Sequence, residues 1–261
     1  MNPAGLWALV TGASSGIGAA FARALHRRGE RIVLVARRFA ELQAMAEELG
    51  GPDAAIPIAL DLADPLGPEK LQAEVERRGL SIDLLVNNAG FGDTGPLYEQ
   101  PVDRLRGMVD LNARAVVELT RRFLPGMIER RRGRIVNVAS NAAFQPVPFL
   151  NVYAATKSFV VSFTEGLATE LMGSGVHVQV LCPGLTETEF FEAARTGKTL
   201  LVNRMPRMTA EEVVVASLRG LDQGRLRVIP GFMNRLLAGV VVFSPRAVAA
   251  RVAAQLYKPR E

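Results

Sequence analysis

The chain alternates short apolar runs with longer stretches in which apolar residues recur every three or four positions. Runs of strand length lie at 6–10, 32–35, 55–60, 84–86, 134–138, 176–181 and 226–229, and helical patterns fill the intervals, among them 19–25, 111–129 and 152–171. Strands alternating with helices predict an α/β fold: a doubly wound parallel sheet covered on both faces, three layers in one domain spanning 1–261. No Pro/Gly/Ser-rich linker, internal repeat or low-complexity tract interrupts the pattern. Residues 231–261 follow the last strand and read as a helical extension, with Ser244 as cap, Pro245 in the first turn, and Val248, Val252 and Leu256 on one face. This tail could close the pocket, join a subunit interface or rest on a membrane surface, and packing on its own domain is the default. Its apolar run 236–243 is far too short for a membrane span of about 20 residues.

The first strand runs directly into Thr11-Gly12-Ala13-Ser14-Ser15-Gly16-Ile17-Gly18, and a helical pattern follows. A glycine turn between strand and helix lets a pyrophosphate approach bare backbone at a helix N-terminus, where unpaired N–H groups and the dipole favour an anion. The spacing is Gly-x-x-x-Gly-x-Gly, and a turn with no ligand is the competing reading of the motif alone. Further on, Tyr153 and Lys157 stand four residues apart on a helical pattern and so share one face. A cation beside a phenol favours the phenolate and brings proton transfer closer to neutral pH. Taken alone, such a pair is usually surface decoration.

Taken together and in order, these motifs resemble the short-chain dehydrogenase/reductase family, in its compact single-domain, Rossmann-like form. Thr11 to Gly18 resembles the family's cofactor loop, Asp61-Leu62 its adenine contact, and Asn87-Asn88-Ala89-Gly90 its central-strand motif. Asn112, Ser140, Tyr153 and Lys157 resemble its catalytic set, and Pro183-Gly184 with Thr188 beyond it the segment that holds the nicotinamide carboxamide; the Thr186 hydroxyl could also hold it, and the resemblance favours Thr188. The resemblance implies hydride transfer between a nicotinamide and a carbonyl or alcohol, with Tyr153 as proton donor. Ser140 would position the oxygen, Lys157 would bind ribose and lower the tyrosine pKa, and Asn112 would hold a relay water. It also implies a homo-dimer or homo-tetramer formed through the helices at 111–129 and 152–171.

Several of these residues keep a plainer alternative. Asp61 also reads as a turn cap, Asn112 as a helix irregularity, Ser140 as a strand-end cap, and the two threonines as caps of a following helix. For Asn87 and Asn88 a mainly structural role is the better reading. The cofactor choice is firmer. The second strand ends at Ala36, where an NAD-selective site would place a carboxylate, and Arg37 and Arg38 follow at once. Arginine there suits the 2′-phosphate of NADP(H). Phe144, Val147, Pro148 and Phe149 on one side, and a lid over 187–206 with Phe190, Phe191, Leu200, Leu201 and Met205 on the other, suggest an apolar substrate pocket.

Charge and cysteine usage change the picture little. A formal net charge of +5 and a pI near 9.9 invite a nucleic-acid reading, but the arginines are scattered and no recognition motif is visible, so no nucleic-acid partner is expected. One cysteine, Cys182, forbids an internal disulfide and fits a reducing, cytoplasmic setting. His26 and His177 are not spaced for a metal, and none is expected. A dinucleotide-sensing regulator without turnover is the alternative function, disfavoured by the complete proton-transfer set; an epimerase or dehydratase of the longer-chain type is disfavoured by the compact length.

Overall fold

The structure, a computed structural model, describes residues 6–188 and 207–258. Its centre is a seven-stranded, wholly parallel sheet in the order β3-β2-β1-β4-β5-β6-β7. The strands are β1 (Trp7–Thr11), β2 (Arg31–Ala36), β3 (Ala55–Ala59), β4 (Ile82–Asn87), β5 (Gly133–Val138), β6 (Val176–Leu181) and β7 (Arg227–Val228). Helices α1 (Gly16–Arg27), α2 (Phe39–Glu48), α3 (Gly67–Arg77), α4 (Val102–Val109), α5 (Ala115–Glu129) and α6 (Asn151–Glu170) lie between them. After β6 come α7 (Ala210–Asp222), α8 (Phe232–Phe243) and α9 (Arg246–Tyr257).

Strand β1 shows how the sheet is covered. Ala8 and Val10 point into one core, with Phe21 and Leu25 of α1 and Val213 of α7, while Trp7 and Leu9 point into the other, with Leu71 of α3 and Leu119 of α5. The period of two sends neighbouring residues to opposite faces, and both are fully enclosed, which is why the strand reads as an unbroken apolar run. The chain winds outward in both directions from β1 and β4. At that reversal the loops leaving the two strands diverge and open a crevice at the carboxyl ends of the sheet.

Two local departures from the expected pattern matter. The helical pattern 111–129 is not one regular helix: a π turn over Asp110–Arg114 joins α4 to α5, with Asn112 in its middle. Such a turn re-aims one side chain within a continuous helix and is found often at functional positions. In the tail, Ser244 does not cap α9. Its hydroxyl donates back to the Val240 carbonyl at 2.7 Å and finishes α8, leaving Pro245 in the capping position. The open carbonyl of the helix just completed lies closer than any N–H of the next, and a residue before proline is held extended.

Candidate active site

The crevice at the reversal continues into a cavity of about 660 Å³. Its floor is the glycine turn. Gly12 and Gly16 have φ of +67° and +54°, a region that favours glycine. A Cβ on Gly12 would sit 2.8 Å from Asn88 Nδ2, and one on Gly18 would sit 2.2 Å from the Gly12 carbonyl oxygen. The loop therefore folds flat against α1. Ser14, Ser15 and Ile17 line the cavity at the start of that helix, whose first turn carries no acidic residue.

The loop is fastened from beneath by Thr11, a residue that sequence reading passed over as part of the motif. Its hydroxyl donates to the Val86 carbonyl at 3.2 Å and accepts from the N–H groups of Asn88 at 2.9 Å and Ala89 at 3.0 Å. Asn88 returns the contact, donating from Nδ2 to the Thr11 carbonyl at 2.9 Å. Asn88 thus touches the cavity and braces the loop at once. Asn87 faces away from the cavity, donating at 2.8 Å to Asn137 in a buried chain of amides that reaches Thr164. These bonds tie β4, β5 and α6 together below the site.

Beyond the glycine turn, Arg37 and Arg38 border the cavity, and Arg38 donates to Ser14 Oγ at 3.2 Å. Asp61 and Leu62 form the next stretch of wall. One carboxylate oxygen of Asp61 accepts from the Ala63 N–H at 2.9 Å, so the turn-cap alternative and the cavity position hold together. Across the cavity stand Gly90, Pro183, Gly184, Thr186 and Thr188. The Thr186 hydroxyl donates to the Gly184 carbonyl at 3.1 Å, which makes it a brace for this segment.

Ser140, Tyr153 and Lys157 meet in the remaining wall. Ser140 lies two residues past β5, caps the short turn that follows by accepting from the Ala142 N–H at 3.1 Å, and hydrogen-bonds the Tyr153 phenol. Lys157 donates to the Val138 carbonyl at 2.8 Å, and its Nζ lies 5.8 Å from the centre of the Tyr153 ring. Burial pushes the tyrosine up to about 12, opposed by its bond to Ser140, and pushes the lysine down to about 8. In the protein alone, burial drives both groups toward their neutral forms.

Two expected residues stand behind the wall and do not line the cavity. Gly18 is packed under Gly12. Asn112 is fully buried, its Oδ1 accepting from the Phe91 N–H at 3.1 Å and its Nδ2 donating to the Phe91 carbonyl at 2.9 Å and to Thr156 at 3.2 Å. Both amide protons of the side chain expected to hold a relay water are taken by protein, and its Oδ1 accepts one bond. Gly90 separates it from the cavity: a Cβ there would meet Asn112 Oδ1 at 2.9 Å and Lys157 Nζ at 3.3 Å.

The apolar pocket residues also need correction. Val147 is core, packed with Met108 and Leu150, and Phe144 packs against the Val160–Val180 cluster. Neither these two nor Pro148 and Phe149 belong to the cavity wall. The tail supplies that surface: Asn234, Leu237 and Val241 of α8, with Val252, Leu256 and Tyr257 of α9. Tyr257 packs beside Tyr153, a neighbour that nothing in their spacing of residue numbers announces. The proposed lid residues Phe190, Phe191, Leu200, Leu201 and Met205 lie outside the described residues.

The profile of the family described as short chain dehydrogenase matches residues 6–199. The chain belongs to the short-chain dehydrogenases. This dehydrogenase is 37% identical over 188 residues to the NADP-dependent 3-hydroxy acid dehydrogenase YdfG of Salmonella typhi, covering 72% of this chain and 75% of that one. Among solved structures it resembles a short-chain dehydrogenase from Sphingobium yanoikuyae in complex with NADPH, with a TM-score of 0.80 and 32% identity over 93% of this chain and 97% of the other. It also resembles the bulky-bulky ketone specific alcohol dehydrogenase from Comamonas testosteroni, with a TM-score of 0.76 and 30% identity over 95% and 98% of the two chains.

Proposed function

We propose that this dehydrogenase transfers hydride between NADP(H) and a ketone or secondary alcohol of apolar character, with Tyr153 exchanging the proton at the carbonyl oxygen. The observation that carries the reading is the hydrogen-bonded Ser140–Tyr153 pair in the wall of the same cavity that the glycine turn floors. The residues present fit the cofactor. Bare backbone at Gly12 and Gly16 leaves room for a pyrophosphate, and Ser14, Ser15, Ile17 and the first N–H groups of α1 would hold it. Arg37 and Arg38 would take the 2′-phosphate, Asp61 and Leu62 the adenine, and Asn88 and Gly90 the path between the two halves. Pro183, Gly184, Thr186 and Thr188 would border the carboxamide. When bound, NADP(H) supplies and accepts the hydride.

The chain's own groups do the rest. Ser140 fixes the carbonyl oxygen beside Tyr153, and the phenol, kept protonated by burial, gives that oxygen its proton as negative charge develops. Lys157, anchored on the Val138 carbonyl, holds positive charge beside the phenolate that results. Asn112 acts at one remove, fixing the Phe91 backbone against Thr156 next to Lys157.

The cavity wall favours a ketone over a hydroxy acid. Its tail side is formed by Leu237, Val241, Val252 and Leu256, and among the described residues the only arginines that line it are Arg37 and Arg38 at the glycine-turn end. Among the described residues, a carboxylate at the tail side of the cavity would meet no guanidinium. We also propose a cytoplasmic setting, resting on the single buried thiol of Cys182, which burial pushes up to about 12. Subunits would pair through α5 and α6, whose outer faces expose Ile128 and Phe159.

Replacing the phenol by phenyl tests the chemistry. Tyr153→Phe should bind NADPH within about twofold of the parent by fluorescence titration, yet reduce a bulky ketone at least ~100-fold more slowly. A variant retaining near-parental turnover would remove the proton-donor role.

A further inference from the structure

Helix α8 exposes one charged side chain, Arg235, and is otherwise apolar toward water. Asn234, Leu237, Ala238 and Val241 turn inward and line the cavity, while Phe232, Met233, Leu236, Val240 and Phe243 form a stripe on the outside, each between 50 and 90% exposed. Val248 of α9 extends the same apolar surface and is half exposed. A helix apolar on both faces belongs in a core, yet here one face meets a cavity and the other meets solvent.

The charge along this tail has one sign. Between Asp222 and Glu261 the sequence contains no acidic residue, while it carries Arg225, Arg227, Arg235, Arg246, Arg251, Lys258 and Arg260. Arg227 is paired with Glu165. Arg235, Arg246, Arg251 and Lys258 are exposed and, among the described residues, pair with no carboxylate. Arg235 sits within α8 beside the stripe, and Arg246 follows Phe243 at the junction with α9. Long cationic side chains bordering an exposed apolar face let the apolar part enter a lipid interface while the charged heads stay with its phosphates. No helix of the described residues is long and apolar enough to cross a membrane, so the contact this surface fits is with the bilayer face.

We infer that α8 and the start of α9 dock this dehydrogenase onto an anionic lipid surface. Four cations that pair with no carboxylate among the described residues complement phosphatidylglycerol-like headgroups, whereas a second copy would bring the same positive charge against itself. Docking sets the cavity about one helix diameter, ~10 Å, from the lipid. On the function proposed above, a membrane-dissolved ketone would then reach the cavity over α8 with little water to cross.

Flotation of the purified full chain tests this without reference to activity. The parent protein should rise with vesicles of equal parts phosphatidylglycerol and phosphatidylcholine, and should stay behind with phosphatidylcholine alone. Combining Leu236→Glu, Val240→Glu and Phe243→Glu should lower the floated fraction on the order of tenfold. Met172→Glu, at an exposed apolar residue just past α6, should float like the parent. Circular dichroism melting of each variant shows that it is folded, and the single variant Phe243→Glu, at a 90% exposed site, stands in should the triple variant melt early. Equal flotation of parent and variant, or no flotation of the parent, overturns the inference. So does a parent dimer, seen by analytical ultracentrifugation, that the same substitutions split into monomers with neither form rising with lipid.

Discussion

Lys157→Met asks whether the buried ammonium is maintained at the expense of stability. Lys157 is 5% exposed, and burial lowers its pKa from 10.5 to about 8. A lysine with a lowered folded pKa destabilises the protein at every pH below that value, and the penalty is relieved as pH rises from about 8 towards 10.5. At about 1.4 kcal/mol per tenfold, the penalty near pH 7 is about 3 kcal/mol, falling to about 1.5 kcal/mol by pH 9.5. Methionine fills similar volume without charge, but it leaves the Val138 carbonyl, the acceptor at 2.8 Å, without its donor, at a cost of about 1–3 kcal/mol. The cofactor-free variant should therefore equal or exceed the parent in stability at pH 7, by about 1 kcal/mol. By pH 9.5 the difference should move about 1.5 kcal/mol against it. Urea unfolding of both proteins at the two pH values reads this directly, and comparing the pair cancels the titration of the other groups. A difference that stays flat with pH, or a variant much weaker at pH 7, would refute the reasoning.

Three further outcomes follow from particular contacts. Gly18→Ala should cost about 1–3 kcal/mol and weaken NADPH binding at least ~10-fold, because a Cβ 2.2 Å from the Gly12 carbonyl must lift the turn; thermal melts and fluorescence titration check both. Arg37→Ala should weaken NADPH by about 10- to 100-fold and leave NADH within about twofold, and equal losses for the two would remove the phosphate assignment. Thr11→Val deletes the hydroxyl that joins Val86, Asn88 and Ala89, so it should lower stability by about 1–3 kcal/mol in urea and weaken cofactor binding as well.

Read from the residues alone, the parallel sheet, the glycine turn and the Tyr153–Lys157 pair are all visible, because each is encoded within a few consecutive positions. Buried strands of a parallel sheet are apolar without interruption, a dinucleotide turn needs glycine at fixed spacing, and a helix puts i and i+4 on one side. The family match and the solved relatives agree with that reading of the fold. Tertiary structure decided what depends on contacts between distant segments. Phe144 and Val147 have the composition of a pocket but became core, while Leu237, Val241, Leu256 and Tyr257, almost a hundred residues further along, became the wall. Asn112 was legible as an oddity in a helix, but not as the holder of the Phe91 backbone. Whether Lys157 lowers its neighbouring phenol likewise could not be read from spacing, since burial sets both pKa values and burial is a property of the folded surface. Local pattern fixes what a segment is; only packing determines which of its faces meets protein, cavity or solvent, and α8 meets two of them at once.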